Sequence, residues 1–151
     1  MSLDIFYFSY IDGKPVPFSI DIVIDALGRF ADRGERTCWA LTFPDGGWSD
    51  LYLDDANEIS DFCLNRPALS PELWQGVFEI MRRTSGILVC TGAGACVTDA
   101  SIISRIDFTD AVSPIYVVDD ATGIRARIEA AMGIFSRYMN YIRRRANGPS
   151  E

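Results

Sequence analysis

Residues 85–99 read S-G-I-L-V-C-T-G-A-G-A-C-V-T-D, and this stretch decides the fold. An apolar run, Ile87–Cys90, enters a Gly-Ala-Gly turn at Gly92 and Gly94, and a second apolar run, 95–97, leaves it. Short apolar runs bounded by turn residues are typical of buried strands. We therefore predict that this stretch supplies the central strand of the core and a tight turn, and that the other elements pack around it.

A glycine-rich turn after a strand also has two chemical interpretations. The dinucleotide fingerprint needs a third glycine where Val97 stands, and no lysine follows the turn as in a phosphate-binding P-loop. Cys90 and Cys96 would face each other across a hairpin, as a disulfide or redox pair requires. Because no nearby base or histidine lowers a thiol pKa here, we predict buried structural thiols. Nucleotide binding by the turn between Gly92 and Gly94 is kept as an alternative.

The composition limits the classes of function. A chain of 151 residues, 48% of them apolar, suits one globular domain. The absence of histidine excludes Ser-His and Cys-His nucleophiles and imidazole metal ligands. No run approaches the ~18 apolar residues of a membrane span, and the N-terminus lacks the pattern of a signal peptide. We therefore predict a cytoplasmic protein with reduced cysteines and no membrane partner.

The net charge of −7 is unevenly distributed. Residues 1–61 contain twelve acidic and four basic side chains, whereas residues 62–151 contain nine acidic and ten basic ones. An acidic field repels nucleic acid and attracts a basic partner. We therefore expect a basic protein partner and no nucleic acid.

Hydrophobic periodicity predicts alternating strands and helices. The predicted strands are 3–10, 37–43, 48–53, 58–64, 85–99 and 114–118, and the predicted helices are 19–31, 70–83, a short one after Asp99 and 121–145. This order indicates a single α+β domain over residues 1–146, with a mixed or largely antiparallel sheet and flanking helices, followed by a disordered tail at 147–151. A doubly wound α/β sheet is the alternative.

Three of the predicted helices have distinctive sequence features. Residues 19–31 also alternate as a strand would, but a helical stripe fits for longer. Ser70 precedes Pro71 and Glu72, and this order predicts an N-cap at Ser70. At about 1.5 Å per residue the final helix spans roughly 35 Å, more than the domain needs. Its end is therefore expected to overhang or to pack on another subunit.

The candidate site lies on a predicted hairpin over residues 37–53. Trp48, Asp50, Tyr52 and Asp54 share one face of the second strand, and Asp55 follows. Aromatic anchors ringed by acids suit an arginine- or lysine-rich partner. We predict that these five residues bind the partner. The alternative is a sheet face covered by a helix.

The carboxylates between Asp50 and Asp61 also raise the question of a metal site or an acid-base pair. The spacing of a calcium-binding loop is not met. In a loop that starts at Asp54, the sixth position is not glycine and the twelfth is Asn65 instead of glutamate. Nothing in the sequence fixes the separation that a catalytic carboxylate pair needs. We predict no metal ion, no cofactor and no catalytic residue, with a small enzyme using these carboxylates as an alternative.

The leading functional hypothesis is a non-enzymatic module that binds a basic protein through its acidic surface. A small acidic domain of this kind is similar, as a class, to the bacterial immunity proteins that neutralise toxins. That similarity rests on no motif and implies no particular residues. A structural subunit that forms a homodimer through the C-terminal helix is the third hypothesis.

Overall fold

A computed structural model describes residues 3–148 of the chain. Its strands are β1 (Asp4–Phe8), β2 (Tyr10–Ile11), β3 (Lys14–Pro15), β4 (Phe18–Ser19), β5 (Ala31–Asp32), β6 (Cys38–Thr42), β7 (Trp48–Tyr52), β8 (Glu58–Ile59), β9 (Asp61–Asn65), β10 (Ile87–Cys90), β11 (Gly94–Val97) and β12 (Ile115–Val117). Its helices are α1 (Ile20–Leu27), α2 (Pro71–Arg83), α3 (Thr109–Val112) and α4 (Ala121–Ala146), with 3-10 turns at Gly28–Phe30 and Ala100–Arg105.

Eight of these strands form one mixed sheet in the order β12-β11-β10-β1-β9-β7-β6-β5. The pairs are antiparallel apart from β11 and β12, which run parallel. A doubly wound fold needs a mostly parallel sheet with crossover helices, so the α+β prediction is confirmed. Within residues 3–148, no helix has both the length and the apolarity to cross a membrane.

The middle of the sheet is occupied by β1 and β9, which differs from the prediction for residues 85–99. Ile5 of β1 lies opposite Leu64 of β9 on one side and Cys90 of β10 on the other. The 85–99 stretch instead forms the hairpin of β10 and β11, nearer one edge. Its strands are buried as predicted, but the first strand of the chain is the element around which the sheet is built.

One face of the sheet is covered by α1, α2 and α4. Alternate strand residues point to this face and pack against the apolar stripes of the three helices. Members of this main core include Ile5, Tyr7, Leu51, Leu64, Leu88, Val23, Leu27, Leu73, Trp74, Ile124 and Ile128.

Within residues 3–148, the opposite face is covered at the end formed by β10 and β11 and is uncovered elsewhere. There a second, smaller core joins Ile87, Ala95 and Val97 to Ile102 and Ile106 around the 3-10 turn. The turn begins at Asp99, whose side chain accepts a hydrogen bond from the Ser101 N–H. The strands β9, β7 and β6, at the other end, carry half-buried or exposed side chains on this face.

Gly92 and Gly94 shape the turn of the β10–β11 hairpin. Gly92 has φ +76° at the third position of a turn that the Ala93 N–H closes on the Cys90 carbonyl at 2.9 Å. A type II turn requires a positive φ at that position, which favours glycine. Gly94 has φ +97° and lies against the Pro114 carbonyl of the neighbouring segment, so a side chain there would collide with backbone. The turn therefore joins strand to strand, and no helix begins at its glycines.

The other predicted elements hold with local differences. Residues 20–27 are helical, capped by the Ser19 hydroxyl, which accepts from the Asp21 N–H at 3.2 Å. The strand predicted at 58–64 divides at Ser60, because β8 pairs with β4 whereas β9 pairs with β1. In the predicted tail, Asn147 and Gly148 close α4 through hydrogen bonds to its last turn, and residues 149–151 lie outside the described part.

Candidate functional site

The uncovered part of the second sheet face, which we call the open face, is formed by β6, β7, β9 and the start of β1. Its side chains are those that alternate with the main-core residues of these strands and are half-buried or exposed: Asp4, Phe6, Cys38, Ala40, Thr42, Trp48, Asp50, Tyr52, Asp61, Cys63 and Asn65. The open face is thus a sheet surface on which aromatic and acidic groups meet.

Three of the five residues predicted to bind a partner lie together on β7 of the open face. Trp48 is 49% exposed and Tyr52 is 45% exposed, and Asp50 lies between them. The intervening Ser49 and Leu51 are buried on the helix side. The shared face predicted for β7 is confirmed, and the alternative of a covering helix does not apply to the described residues.

Strand pairing extends this set into two rows across the sheet. One row places Tyr52 opposite Cys63, and Cys63 opposite Phe6. The next row places Asp50 opposite Asn65, and Asn65 opposite Asp4. Directly opposite side chains on a sheet lie about 4.5–5.5 Å apart at Cβ, so each row is one contact surface. An apolar row therefore runs beside a polar row. In the polar row, the Asn65 amide lies between the carboxylates of Asp50 and Asp4.

The Asn65 amide Nδ2 donates to Asp4 Oδ1 at 2.7 Å and fixes one end of the polar row. Asp4 also acts on the apolar row. Burial, and secondarily the Asp4 charge, raise the pKa of the Cys63 thiol to about 11. Cys63 is therefore a neutral thiol at neutral pH and behaves as part of the apolar row.

A hollow of about 460 Å³ opens where the apolar row meets the loop after β7. Its walls include Phe6, Phe8, Tyr52 and Cys63, and its carboxylates are Asp54 and Asp61. Among the described residues that line it, none is basic. Burial, followed by the neighbouring Asp54 charge, raises the pKa of Asp61. A cation in the hollow would relieve both causes, since it would replace lost solvation and offset the like charge.

Asp54 and Asp55 are adjacent in sequence, but of the two only Asp54 lines the hollow of the open face. Asp54 lines that hollow beside Tyr52, and both aspartates also border a second hollow that contains Arg33 and Arg36. Asp55 Oδ2 instead pairs with Arg36 Nη1 at 3.4 Å, on an exposed loop. Asp55 therefore lies outside the hollow that Asp54 shares with Tyr52.

Trp48 has a cationic neighbour. The Arg66 guanidinium carbon lies 5.4 Å from the Trp48 ring centroid, a cation–π geometry. Arg66 enters this position from the segment after β9, where its φ is +53°. The Trp48 end of the open face thus already has an arginine stacked on it, whereas no arginine of the described residues stacks on Tyr52.

The other chemistries considered from the sequence find little support in the geometry. No cluster of three or more cysteine, aspartate or glutamate side chains within residues 3–148 is arranged to hold a metal ion. The turn between Gly92 and Gly94 leads into β11, whereas a phosphate loop leads into a helix N-terminus.

The thiols of the β10–β11 hairpin are unpaired. Cys90 lies opposite Gly94, and Cys96 lies opposite Leu88, so the two cysteines are not directly opposed and both are free. Burial raises the pKa of Cys90 to about 12 and that of Cys96 to about 11. Two neutral, buried thiols fit the predicted structural role.

Sequence reasoning missed the contributions of β1 to the site. Asp4 and Phe6 are about sixty residues from their neighbours Asn65 and Cys63, and strand pairing over that distance leaves no local pattern. The alternation of residues 3–10 predicted a strand with aromatic residues on both faces. It did not indicate which strand would lie beside it.

Comparisons of the chain with protein-family models, with curated proteins and with solved structures found no significant match.

Proposed function

We propose that the protein is a non-enzymatic binding module whose open face holds a basic segment of a partner protein. The observation that supports this most directly is the hollow bounded by Phe6, Tyr52, Asp54 and Asp61, in which aromatic walls and carboxylates occur without a basic residue. Arginine is the side chain that uses both features, because its guanidinium stacks on rings and pairs with carboxylates.

The two rows of the open face suit an extended basic segment better than a single cation. Arginines at alternate positions of an extended segment would meet the hollow first and the Asp50–Asn65–Asp4 row next. Exposed Tyr52 offers apolar area between them, as an interface anchor does. The long-range field of the acidic half of the chain would speed association with such a partner. Neutralising a basic protein, as immunity proteins do, is the form of this function that we propose.

Binding of a labelled oligo-arginine peptide, followed by fluorescence anisotropy at low and physiological salt, tests the proposal. The double variant Asp54→Asn/Asp61→Asn is expected to weaken binding by roughly tenfold or more, the equivalent of about 1.4 kcal/mol. The matched control is Asp110→Asn/Asp119→Asn, which changes the net charge equally at exposed positions away from the open face.

Equal weakening by both double variants would mean that overall charge, and not the open face, attracts the peptide. Failure of the unaltered chain to bind oligo-arginine at low salt would refute a site for basic segments. An oligo-lysine peptide should bind more weakly than oligo-arginine, because an ammonium group lacks the planar surface that stacks on Phe6 and Tyr52.

A further inference from the structure

The second half of α4 presents an apolar stripe that the core does not cover. The buried residues of α4 are Ile124, Ile128 and Ala131, all in its first half. Beyond them, large side chains on one side of the helix are between 36% and 59% exposed: Ile134, Tyr138, Tyr141 and Ile142. Their spacing of four, three and one residues keeps them on one helical face.

This stripe continues into a groove where α4 leaves the sheet. The groove has a volume of about 460 Å³ and is lined mainly by apolar surface from Leu3, Ile134, Phe135 and Tyr138, together with the Gly92 turn. Contiguous exposed apolar surface of this kind marks an interaction site on a soluble protein.

We propose that the stripe pairs with the same stripe of a second copy, with the two α4 helices antiparallel and Tyr138 at the two-fold axis. A two-fold interface must be self-complementary, so each residue must suit its own counterpart. An antiparallel pair centred on Tyr138 sets Ile134 opposite Ile142 of the second copy and Phe135 opposite Tyr141. Every large apolar residue of the stripe then meets another apolar residue.

The charges of α4 favour this direction over a parallel pair. Residues 130–148 contain four arginines and no acidic residue. A parallel pair would set the two clusters of Arg143, Arg144 and Arg145 side by side. In the antiparallel pair the two Arg144 positions are twelve residues apart along the axis, about 18 Å at 1.5 Å per residue. That separation exceeds the Debye length of about 8 Å at physiological salt.

The same arrangement brings unlike charges together. Each arginine cluster reaches the level of Met132 and Gly133 of the second copy, beside the body from which that helix emerges. Residues 1–129 of that body contain twenty acidic and ten basic side chains, a net charge of −10. The basic helix end of one copy thus meets the acidic body of the other. The basic partner proposed for the open face would instead be repelled by the arginines of this helix end.

Sedimentation velocity of the full chain over a concentration series tests the pairing. The unaltered chain is expected to dimerise. Tyr138→Glu and Tyr138→Lys each place like charges against each other at the axis, which should raise the dimer dissociation constant roughly a hundredfold or more. An equimolar mixture of the two variants should restore the dimer, because Glu then faces Lys.

Ser136→Glu is the matched control, since Ser136 lies about 160° around the helix from Tyr138 and is exposed. This variant should dimerise as the unaltered chain does, and circular dichroism should show all variants folded. An unaltered chain that stays monomeric throughout the series overturns the proposal. Dimers that persist in Tyr138→Glu also overturn the proposal. A mixture of the two Tyr138 variants that stays monomeric overturns it as well.

Discussion

The hydroxyl of Ser70 donates to Asp45 Oδ1 at 2.6 Å and joins the start of α2 to the turn between β6 and β7. Ser70 occupies the predicted N-cap position, but its side chain makes no capping bond to the helix. The same Asp45 oxygen accepts the Gly47 N–H at 2.9 Å, so one carboxylate holds both the turn and the helix start.

This arrangement predicts a loss of stability in acid. The Ser70 hydroxyl, and then the Gly47 N–H, lower the pKa of Asp45 below its ordinary 3.8. The stabilising contribution is therefore complete above the unfolded value and is lost as pH falls through the lower folded value. Urea unfolding along a descending pH series should show a shallower acid decline in Ser70→Ala than in the unaltered chain. An identical decline would contradict the assignment to Asp45.

Two helical glycines should respond oppositely to the same substitution. A Cβ on Gly76 of α2 would lie 2.9 Å from the Ala26 carbonyl oxygen and against the buried Leu27 side chain. We expect Gly76→Ala to destabilise the fold by about 1–3 kcal/mol through overpacking. A Cβ on Gly133 of α4 would meet nothing closer than 3.7 Å, so Gly133→Ala should stabilise by up to about 1 kcal/mol. Chemical denaturation of both variants measures the difference. A stabilised Gly76→Ala would show that α1 and α2 do not pack this closely.

Adjacent parts of β7 should differ in their contribution to stability. Leu51 is fully buried in the main core, and Leu51→Ala should cost about 2–5 kcal/mol. Trp48 lies on the open face, and Trp48→Ala should cost less than about 1 kcal/mol, including the contact with Arg66. Guanidinium denaturation compares the two variants. A large loss in Trp48→Ala would indicate that another element covers the open face.

Stability should also fall in alkali because of Tyr7. Burial raises the pKa of Tyr7 from 10.0 to about 12, and its hydroxyl bonds to Thr84 Oγ1 within the main core. A raised folded pKa means that the contribution is complete below pH 10 and is lost as pH rises through about 12. A shift of this size corresponds to about 2–3 kcal/mol. Absorbance titration should show one late tyrosine that is absent in Tyr7→Phe, and the variant should lose less stability across this range.

The four thiols should divide by accessibility. Cys90 and Cys96 are buried and their pKa values are raised to about 12 and 11, so alkylation at neutral pH should leave them unmodified in the native protein. Alkylation in denaturant, followed by peptide mass spectrometry, should modify all four cysteines. Rapid native labelling of Cys90, or recovery of a linked Cys90–Cys96 peptide, would contradict the structural role.

Local patterns in the sequence predicted much of the fold. The turn at 44–47 predicted the β6–β7 hairpin, because proline, aspartate and glycine each favour turn geometry. The stripe that includes Ile124 and Ile128 predicted α4 nearly to its ends. In both cases the decisive contacts are near in sequence, so periodicity and turn chemistry contain the information.

Those local patterns could not predict contacts between strands that are distant in sequence. The alternation in β7 predicted which residues share a face with Trp48, but the hollow also needs Phe6 from β1 and Asp61 from β9. Strand pairing between distant segments depends on the whole core. For the same reason, residues 58–64 resemble one strand, although the chain shifts between two partners at Ser60.

The central position of β1 has a consequence for how the chain is made. In the order of synthesis β1 precedes both of its partners, β9 by some sixty residues and β10 by some eighty. The nascent β1, with apolar residues on both faces, therefore stays unpaired until β9 and β10 have emerged. Such non-local closure is slow. Pairing of β1 is therefore expected only after β10 has been synthesised, and the unpaired strand is expected to need protection until then.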